Sequence, residues 1–214
     1  NNIQGLTFES DSSLQTIGVN AFTDNSISSV ILPMNYNTAS GPSTNNSFEN
    51  DVIINYELFV PNHVTSIGYL AFYNKSIDIL TFESDSSLQT IGQLAFRGNK
   101  ILSLKIPNSV ITISDEAFRF NYNMHTLSFE SPSSLQTIGY VAFQFSDIMS
   151  LEIPNSVNNI WNYAFAGCDI ETLKFQANSS LEIIRPGTFR NNKIGPSLEI
   201  PNSVTSIGDF AFTA

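Results

Sequence analysis

Residues that could do covalent or acid–base chemistry are scarce in this sequence. Its one cysteine is Cys168, and its two histidines, His63 and His125, are far apart in the chain. A lone thiol forms no internal disulfide, and no Cys-x-x-Cys pair is present to hold zinc or carry electrons. Catalysis needs an acid, a base or a nucleophile converging in one cleft. These three side chains do not supply such a set, so the sequence reads as a non-enzyme that needs no cofactor. His63 follows Pro61-Asn62 where comparable segments carry Ser, and reads as a surface substitution.

The carboxylates are more regular. Glu9, Asp11, Glu83, Asp85 and Glu130 recur just after predicted strands. Calcium would need roughly six to eight oxygens converging on one point. Segments of the same type should stand two strand steps apart, about 10 Å, so these carboxylates should not converge, and no metal site is expected. Asn45-Asn46-Ser47, Asn74-Lys75-Ser76 and Asn178-Ser179-Ser180 match the N-glycosylation acceptor pattern. In a chain this rich in Asn and Ser, chance matches are expected.

The chain of 214 residues is 42% hydrophobic but only 13% charged, with a net charge of −10 and a pI near 4.4. The charged share is about half that of an ordinary folded protein, and Asn, Ser and Thr fill the polar quota. That profile suits a secreted or surface-displayed β-rich array. An acidic surface repels nucleic acid and anionic membranes. No apolar run reaches the ~18 residues of a membrane span, so no membrane insertion is expected. Asn1-Asn2-Ile3-Gln4 has no basic region leading into an apolar one, and reads as lacking a signal peptide.

The elements that position these side chains are internal repeats. The pattern Ile-Gly-x-x-Ala-Phe starts at Ile17, Ile67, Ile91, Ile138 and Ile207, with variants starting at Ile113, Ile160 and Ile184. The closing phenylalanines are Phe22, Phe72, Phe96, Phe118, Phe143, Phe165, Phe189 and Phe212, at spacings of 50, 24, 22, 25, 22, 24 and 23. The gap of 50 is two units, and Phe48 inside it marks a degenerate one. The chain thus reads as one domain, 1–214, of about nine units of 22–26 residues, with an irregular loop in the degenerate unit at 34–58. The slot after the Ile also holds Ser114, Trp161 and Arg185. A left-handed backbone is therefore not expected there, and side chains in that slot should face solvent.

Units alternate between two flavours. One carries Phe-Glu-Ser-x-Ser-Ser-Leu, as at Phe82 and Phe129; the other carries Ile-Pro-Asn-Ser-Val, as at Ile106, Ile153 and Ile200. After the closing Phe comes a string such as Ile101, Leu104, Ile106 or Ile170, Leu173, Phe175. That is the leucine-rich-repeat strand signature. Alternation within Leu-x-Ile gives a half-buried strand, and stacked units share a core that no single unit could form. The closing phenylalanines should be that core's central ladder.

The combination Ile-Pro-Asn-Ser-Val-x-x-Ile-Gly-x-x-Ala-Phe with Leu-x-x-Leu-x-Ile resembles the BspA-like class of leucine-rich repeats over nearly the whole chain. The resemblance implies a right-handed superhelix with parallel strands on one face. It implies an extracellular or cell-surface protein of mucosal bacteria or parasitic protists, binding host proteins, host cells or other microbes. It brings no catalytic residues and no fixed binding residues. Cys168 stands three residues after Phe165, where that family often carries Cys; other units have Asn25, Asn99, Asn121, Ser146 and Asn192 there. It therefore reads as a family relic.

Ligand contacts should then fall on the outward strand column: Thr7, Ile31, Phe59, Thr81, Lys105, Ser128, Glu152, Lys174 and Glu199. Ile31 and Phe59 are adjacent apolar rungs beside a loop with Tyr36, Phe48 and Tyr56. Exposed, they would make a hot spot; folded under the loop, they would be core. Lys105, Glu152, Lys174 and Glu199 read either as a solvated salt ladder, with Lys174 between two glutamates, or as ligand contacts. A spacer array is the alternative to an adhesin, favoured by the near-identity of the units. Ice or crystal binding would need a uniform Thr ladder, which this column lacks. The sequence stops at Phe212-Thr213-Ala214, inside a unit, which suggests either a longer protein or end-to-end self-association.

Overall fold

The computed structural model describes residues 5–7, 29–31 and 56–214; of the first two segments and Tyr56 it describes the backbone alone. One long sheet is built from β1 (Gly5–Thr7), β2 (Ser29–Ile31), β3 (Tyr56–Val60), β5 (Ile77–Phe82), β7 (Ser103–Ile106), β9 (Thr126–Phe129), β11 (Ser150–Ile153) and β13 (Thr172–Phe175). A second column of two-residue strands holds β4 (Ser66–Ile67), β6 (Thr90–Ile91), β8 (Thr112–Ile113), β10 (Thr137–Ile138) and β12 (Asn159–Ile160). A two-stranded sheet joins β14 (Ile183–Ile184) to β15 (Ser206–Ile207). Every pairing is parallel, and strands pair in chain order within each column. Among the described residues the molecule is a parallel-strand leucine-rich-repeat solenoid of about seven turns with no helix, slightly fewer than the nine units expected over the whole chain.

The strand alternation has its expected origin. Leu104 and Ile106 are fully buried while Ser103 and Lys105 are exposed, and β11 repeats that pattern. Register then stacks like on like: Leu104 opposite Leu127, and Leu151 opposite Leu173. The last unit departs from this. One extra residue in Gly195-Pro196-Ser197 lengthens the approach to Leu198, Pro supplies no donor, and no strand forms around Glu199.

The closing segment is a β-turn whose third residue is left-handed. In each, the Ala or Thr amide donates to the carbonyl of the slot after the Ile, as Ala95 does to Gly92 at 3.2 Å and Thr188 to Arg185 at 3.2 Å. The third residues are Leu70, Leu94, Glu116, Val141, Tyr163, Gly187 and Phe210, all at positive φ between 46° and 64°. This is the geometry that favours glycine, yet only one of the seven is glycine. Bonds between units hold it in place, because the next amide, that of each closing Phe from Phe72 to Phe189, donates to the neighbouring unit at 2.8–2.9 Å.

The slot after the Ile behaves as expected in its dihedrals, since Gly92, Gly139 and Gly208 are not at positive φ. The expectation that it faces solvent needs correction at the glycines. A Cβ on Gly92 would lie 2.6 Å from the Ile67 carbonyl oxygen, and one on Gly139 would lie 2.5 Å from the Ser114 carbonyl carbon. Neighbouring turns come close enough there to exclude a side chain.

Phe72, Phe96, Phe118, Phe143, Phe165 and Phe189 are buried and stacked in one column, with centroids 5.2–5.8 Å apart. Phe212 extends the column at 5.4 Å but is only partly buried, having a partner on one side. Phe22 lies outside the described residues. A polar ladder runs beside the rings, three residues after each. Asn121 donates to the Phe96 and Phe118 carbonyls at 3.0 and 2.8 Å and accepts from the Ile101 amide at 3.3 Å. Asn99 and Asn192 make the same bridge one unit apart from their own neighbours. A buried carbonyl at the turn would otherwise go unpaired, which is why the slot is polar inside an apolar core.

The alternation of flavours has a cause of the same kind. Glu83 accepts the Asn62 amide at 2.8 Å, Glu130 accepts that of Asn108 at 3.2 Å, and Gln176 accepts that of Asn155 at 3.2 Å. Each of these Phe-Glu or Phe-Gln units therefore caps the Pro-Asn turn of the unit before it.

Candidate binding surface

The outward column assembles as the register requires. Thr7 stands opposite Ile31, Ile31 opposite Phe59, and Phe59 opposite Thr81. Phe59 is half-buried between the buried Leu58 and Val60. Tyr56 pairs with Ile77 through the backbone, so the last residues of the 34–58 segment are strand, not loop. Tyr36 and Phe48 lie outside the described residues, as do Glu9 and Asp11. Lys105 stands opposite Ser128, and Glu152 opposite Lys174.

The charges on this face do not form the expected ladder. Lys105 turns instead to Glu130 at the strand exit, Nζ to Oε1 at 3.0 Å. That lysine lowers the Glu130 carboxyl below its ordinary value, chiefly by hydrogen bonding. Among the described residues Lys174 makes no ion pair with Glu152 or Glu199, and the missing last strand leaves Glu199 out of register. These three residues, with Glu171, border an open groove of about 460 Å³. At the head of the strand face Ile79, Leu102 and Met149 expose apolar side chains, which the column reading did not single out. Leu102 and Met149 immediately precede their strands, whereas Ile79 is an outward residue within β5, opposite Ser103.

Two aromatic groups lie on the turns. In one, Arg97 and Arg119 both pair with Glu116, at 3.0 and 2.9 Å, and both pack on the Phe120 ring. Phe145 stacks on Phe120 at 5.6 Å and lies over Gly167, where a Cβ would be 2.9 Å from its ring. In the other, Trp161 is exposed, Arg185 lies 4.5 Å from its ring centroid, and Tyr140 stands nearby against Tyr163. The signal for the second group was visible, since Trp161 is the chain's one tryptophan and stands in a slot that otherwise favours Gly. The second sheet also carries a short Thr ladder, Thr90, Thr112 and Thr137, each opposite the next.

Cys168 is fully buried in the polar slot and donates to the Phe143 carbonyl at 3.0 Å. Desolvation pushes its thiol up to about 12. It occupies the place of the Asn of other units, with a second, longer contact to the Ala166 carbonyl at 3.9 Å but no bond accepted from a backbone amide as Asn121 and Asn192 accept. Glu83 and Glu130 are engaged with backbone amides, and no group of three or more His, Cys, Asp or Glu that could hold a metal occurs among the described residues. No helix there is long and apolar enough to cross a membrane.

The family model for the BspA type leucine rich repeat region matches six copies, over residues 1–43, 43–171 and 120–214. No curated protein matches the chain. Among solved structures it is similar to a leucine-rich-repeat protein from Bacteroides ovatus, with TM-score 0.62 and 20% identity, covering 95% of this chain and 53% of that one. It is also similar to a leucine rich cell surface protein from Faecalibacterium prausnitzii, with TM-score 0.54 and 19% identity, covering 97% of this chain and 66% of that one. The pneumococcal vaccine antigen PcpA aligns with TM-score 0.53 and 14% identity over 97% of this chain and 68% of its own. The chain thus spans between about half and two thirds of these proteins' lengths.

Proposed function

Because this chain belongs to the BspA-type leucine-rich-repeat family, we propose that it is a non-enzymatic adhesion module, displayed extracellularly or at a cell surface, that binds a protein or cell-surface partner. One observation carries the reading: the inward column repeats Leu from rung to rung, while the outward column changes at nearly every rung, from Phe59 to Thr81, Lys105, Ser128, Glu152 and Lys174. Core positions are held by packing; an outward strand position has no packing reason to be any particular residue. The two similar bacterial proteins described as a cell surface protein and a vaccine antigen support the location.

The contact area we favour is the apolar part of the strand face, Ile79 and Leu102 near its head with Phe59 one outward position further along, together with Ile31 opposite Phe59. Apolar side chains clustered on a polar surface are what a protein partner would desolvate. The test is binding of the labelled chain to epithelial cells and immobilised matrix proteins, beside Phe59→Asp, Leu102→Asp and a turn-side control, Tyr122→Asp. Loss in the first two folded variants, with the control unaffected, supports the surface. Equal binding by all four places it elsewhere. The spacer reading keeps one point in its favour, the uniform bonding between units, and it predicts no saturable binding at all.

A further inference from the structure

The turn-side surface around Trp161 combines an exposed indole with neighbouring hydroxyl and carboxylate side chains. Its column runs Gly92, Ser114, Gly139, Trp161, Arg185 along successive units. Gly92 and Gly139 add no side chain to this column because the backbone of the preceding turn fills the space a Cβ would need, and Ser114 adds only a hydroxyl. A shallow, open notch of about 300 Å³ lies beside the indole, lined by Trp161, Thr112, Thr137, Ser114 and Asp115 together with Gln93, Ile113 and Gly139. Asp115 and Trp161 also border the adjoining hollow beside Tyr140. The notch lies at the small end of the ~300–1,000 Å³ range of small-molecule sites.

The indole is held in place yet open. Arg185 sits 4.5 Å from its centroid, and the guanidinium is itself tethered to the Asn159 side chain at 3.4 Å. Even so, Trp161 is 44% exposed. Leaving a tryptophan in water forgoes its large burial energy. Asp115 accepts the Tyr140 amide through Oδ1 at 2.7 Å, which fixes the carboxylate and leaves its other oxygen for a ligand.

We propose that this notch binds a neutral saccharide, one sugar ring lying on Trp161 with its hydroxyls bonded to Thr112, Thr137, Ser114 and Asp115. A sugar ring presents a C–H face to the negative face of an aromatic ring and a rim of hydroxyls that both donate and accept. The indole and the polar groups beside it match those two needs. A peptide side chain would meet one aromatic face amid mostly polar groups. A phosphate or carboxylate would meet Asp115 and a chain of net charge −10. The inference rests on the binding role proposed above and names the ligand chemistry of a second surface on the same module.

Trp161 is the only tryptophan, so its emission reports the site directly. The chain is applied to an array of neutral glycans ending in galactose, mannose, fucose or N-acetylglucosamine, and the best-bound free sugar is titrated against its fluorescence. Saturable binding with a change in emission is expected. Trp161→Ala and Ser114→Phe, which fills the notch and keeps the indole, should each weaken array binding roughly tenfold or more. Array binding unchanged in both folded variants overturns the site. No glycan binding, with saturable binding to protease-sensitive cell-surface sites, overturns the saccharide inference and leaves the adhesion reading standing. Binding to neither overturns both.

Discussion

Replacing Phe118 with Ala tests the stacked core at its centre. The ring is fully buried and lies 5.3 Å from Phe96 and 5.2 Å from Phe143, with interplanar angles of 8° and 7°. Removing it forfeits the transfer energy of a phenyl group and leaves a cavity, together about 3–5 kcal/mol. Two aromatic contacts go with it, which places the cost toward the upper end. In a linear array the loss falls on both flanking interfaces. Phe212 offers the internal contrast, partly buried with a ring on one side only, and Phe212→Ala should cost roughly 1–2 kcal/mol. Urea melts followed by far-UV circular dichroism give both values. Trp161 emission, followed in parallel, reports the turn closed by Phe165. In Phe118→Ala the two probes should separate if the array loosens at its middle. A cost under ~1 kcal/mol for Phe118→Ala, or equal costs for the two variants, would refute the argument that stability is set by rungs with neighbours on both sides.

Other expectations follow from individual contacts. Asn121→Ala removes three hydrogen bonds to buried backbone groups and should destabilise by about 2–4 kcal/mol in the same melts. The buried Cys168 thiol should resist iodoacetamide in the folded chain and react on unfolding. Its folded value of about 12 lies above that of the unfolded thiol, so the unfolded chain loses the proton first. Stability from this group is therefore full below about pH 9 and falls as pH rises toward 12; Cys168→Ser should flatten that alkaline loss in a pH series of melts. Gly187 has φ +64° and no room for a Cβ beside the Tyr163 ring, so Gly187→Ala should destabilise by more than ~1 kcal/mol. Phe210, at φ 57° and 61% exposed, should instead gain about 0.5–1 kcal/mol on replacement by Gly, both read as thermal midpoints. Lys105→Ala should raise the Glu130 pKa back toward the ordinary carboxylate value, seen by NMR titration, while this exposed pair changes stability by under ~1 kcal/mol.

Much of this architecture could be read from the chain because a repeat states its own period. The Leu-x-Ile alternation fixed which strand residues face inward, and the Phe spacing located the ring column without any coordinates. Turn geometry was hidden for a physical reason. The left-handed third position holds Leu, Glu, Val, Tyr and Phe as well as Gly, since hydrogen bonds from the neighbouring unit hold the turn whatever the residue. The slot after the Ile misled in the opposite sense. Ser114, Trp161 and Arg185 suggested open space, whereas Gly92, Gly139 and Gly208 face the backbone of the turn before. Lys105 illustrates the limit of register arguments, because a long side chain reaches past its cross-strand neighbour to Glu130. The polar slot was visible as Asn99, Asn121, Ser146, Cys168 and Asn192, but its task of bridging consecutive Phe carbonyls needed the stacked geometry.

The most direct test of the binding role is a competition isotherm on intact epithelial cells. Labelled chain is added at rising concentration, with and without a large excess of the unlabelled chain. An adhesion module should give a saturable signal that the unlabelled chain displaces and that Phe59→Asp, still folded by circular dichroism, weakens. A signal that rises linearly and is not displaced would contradict it and leave the solenoid as a spacer.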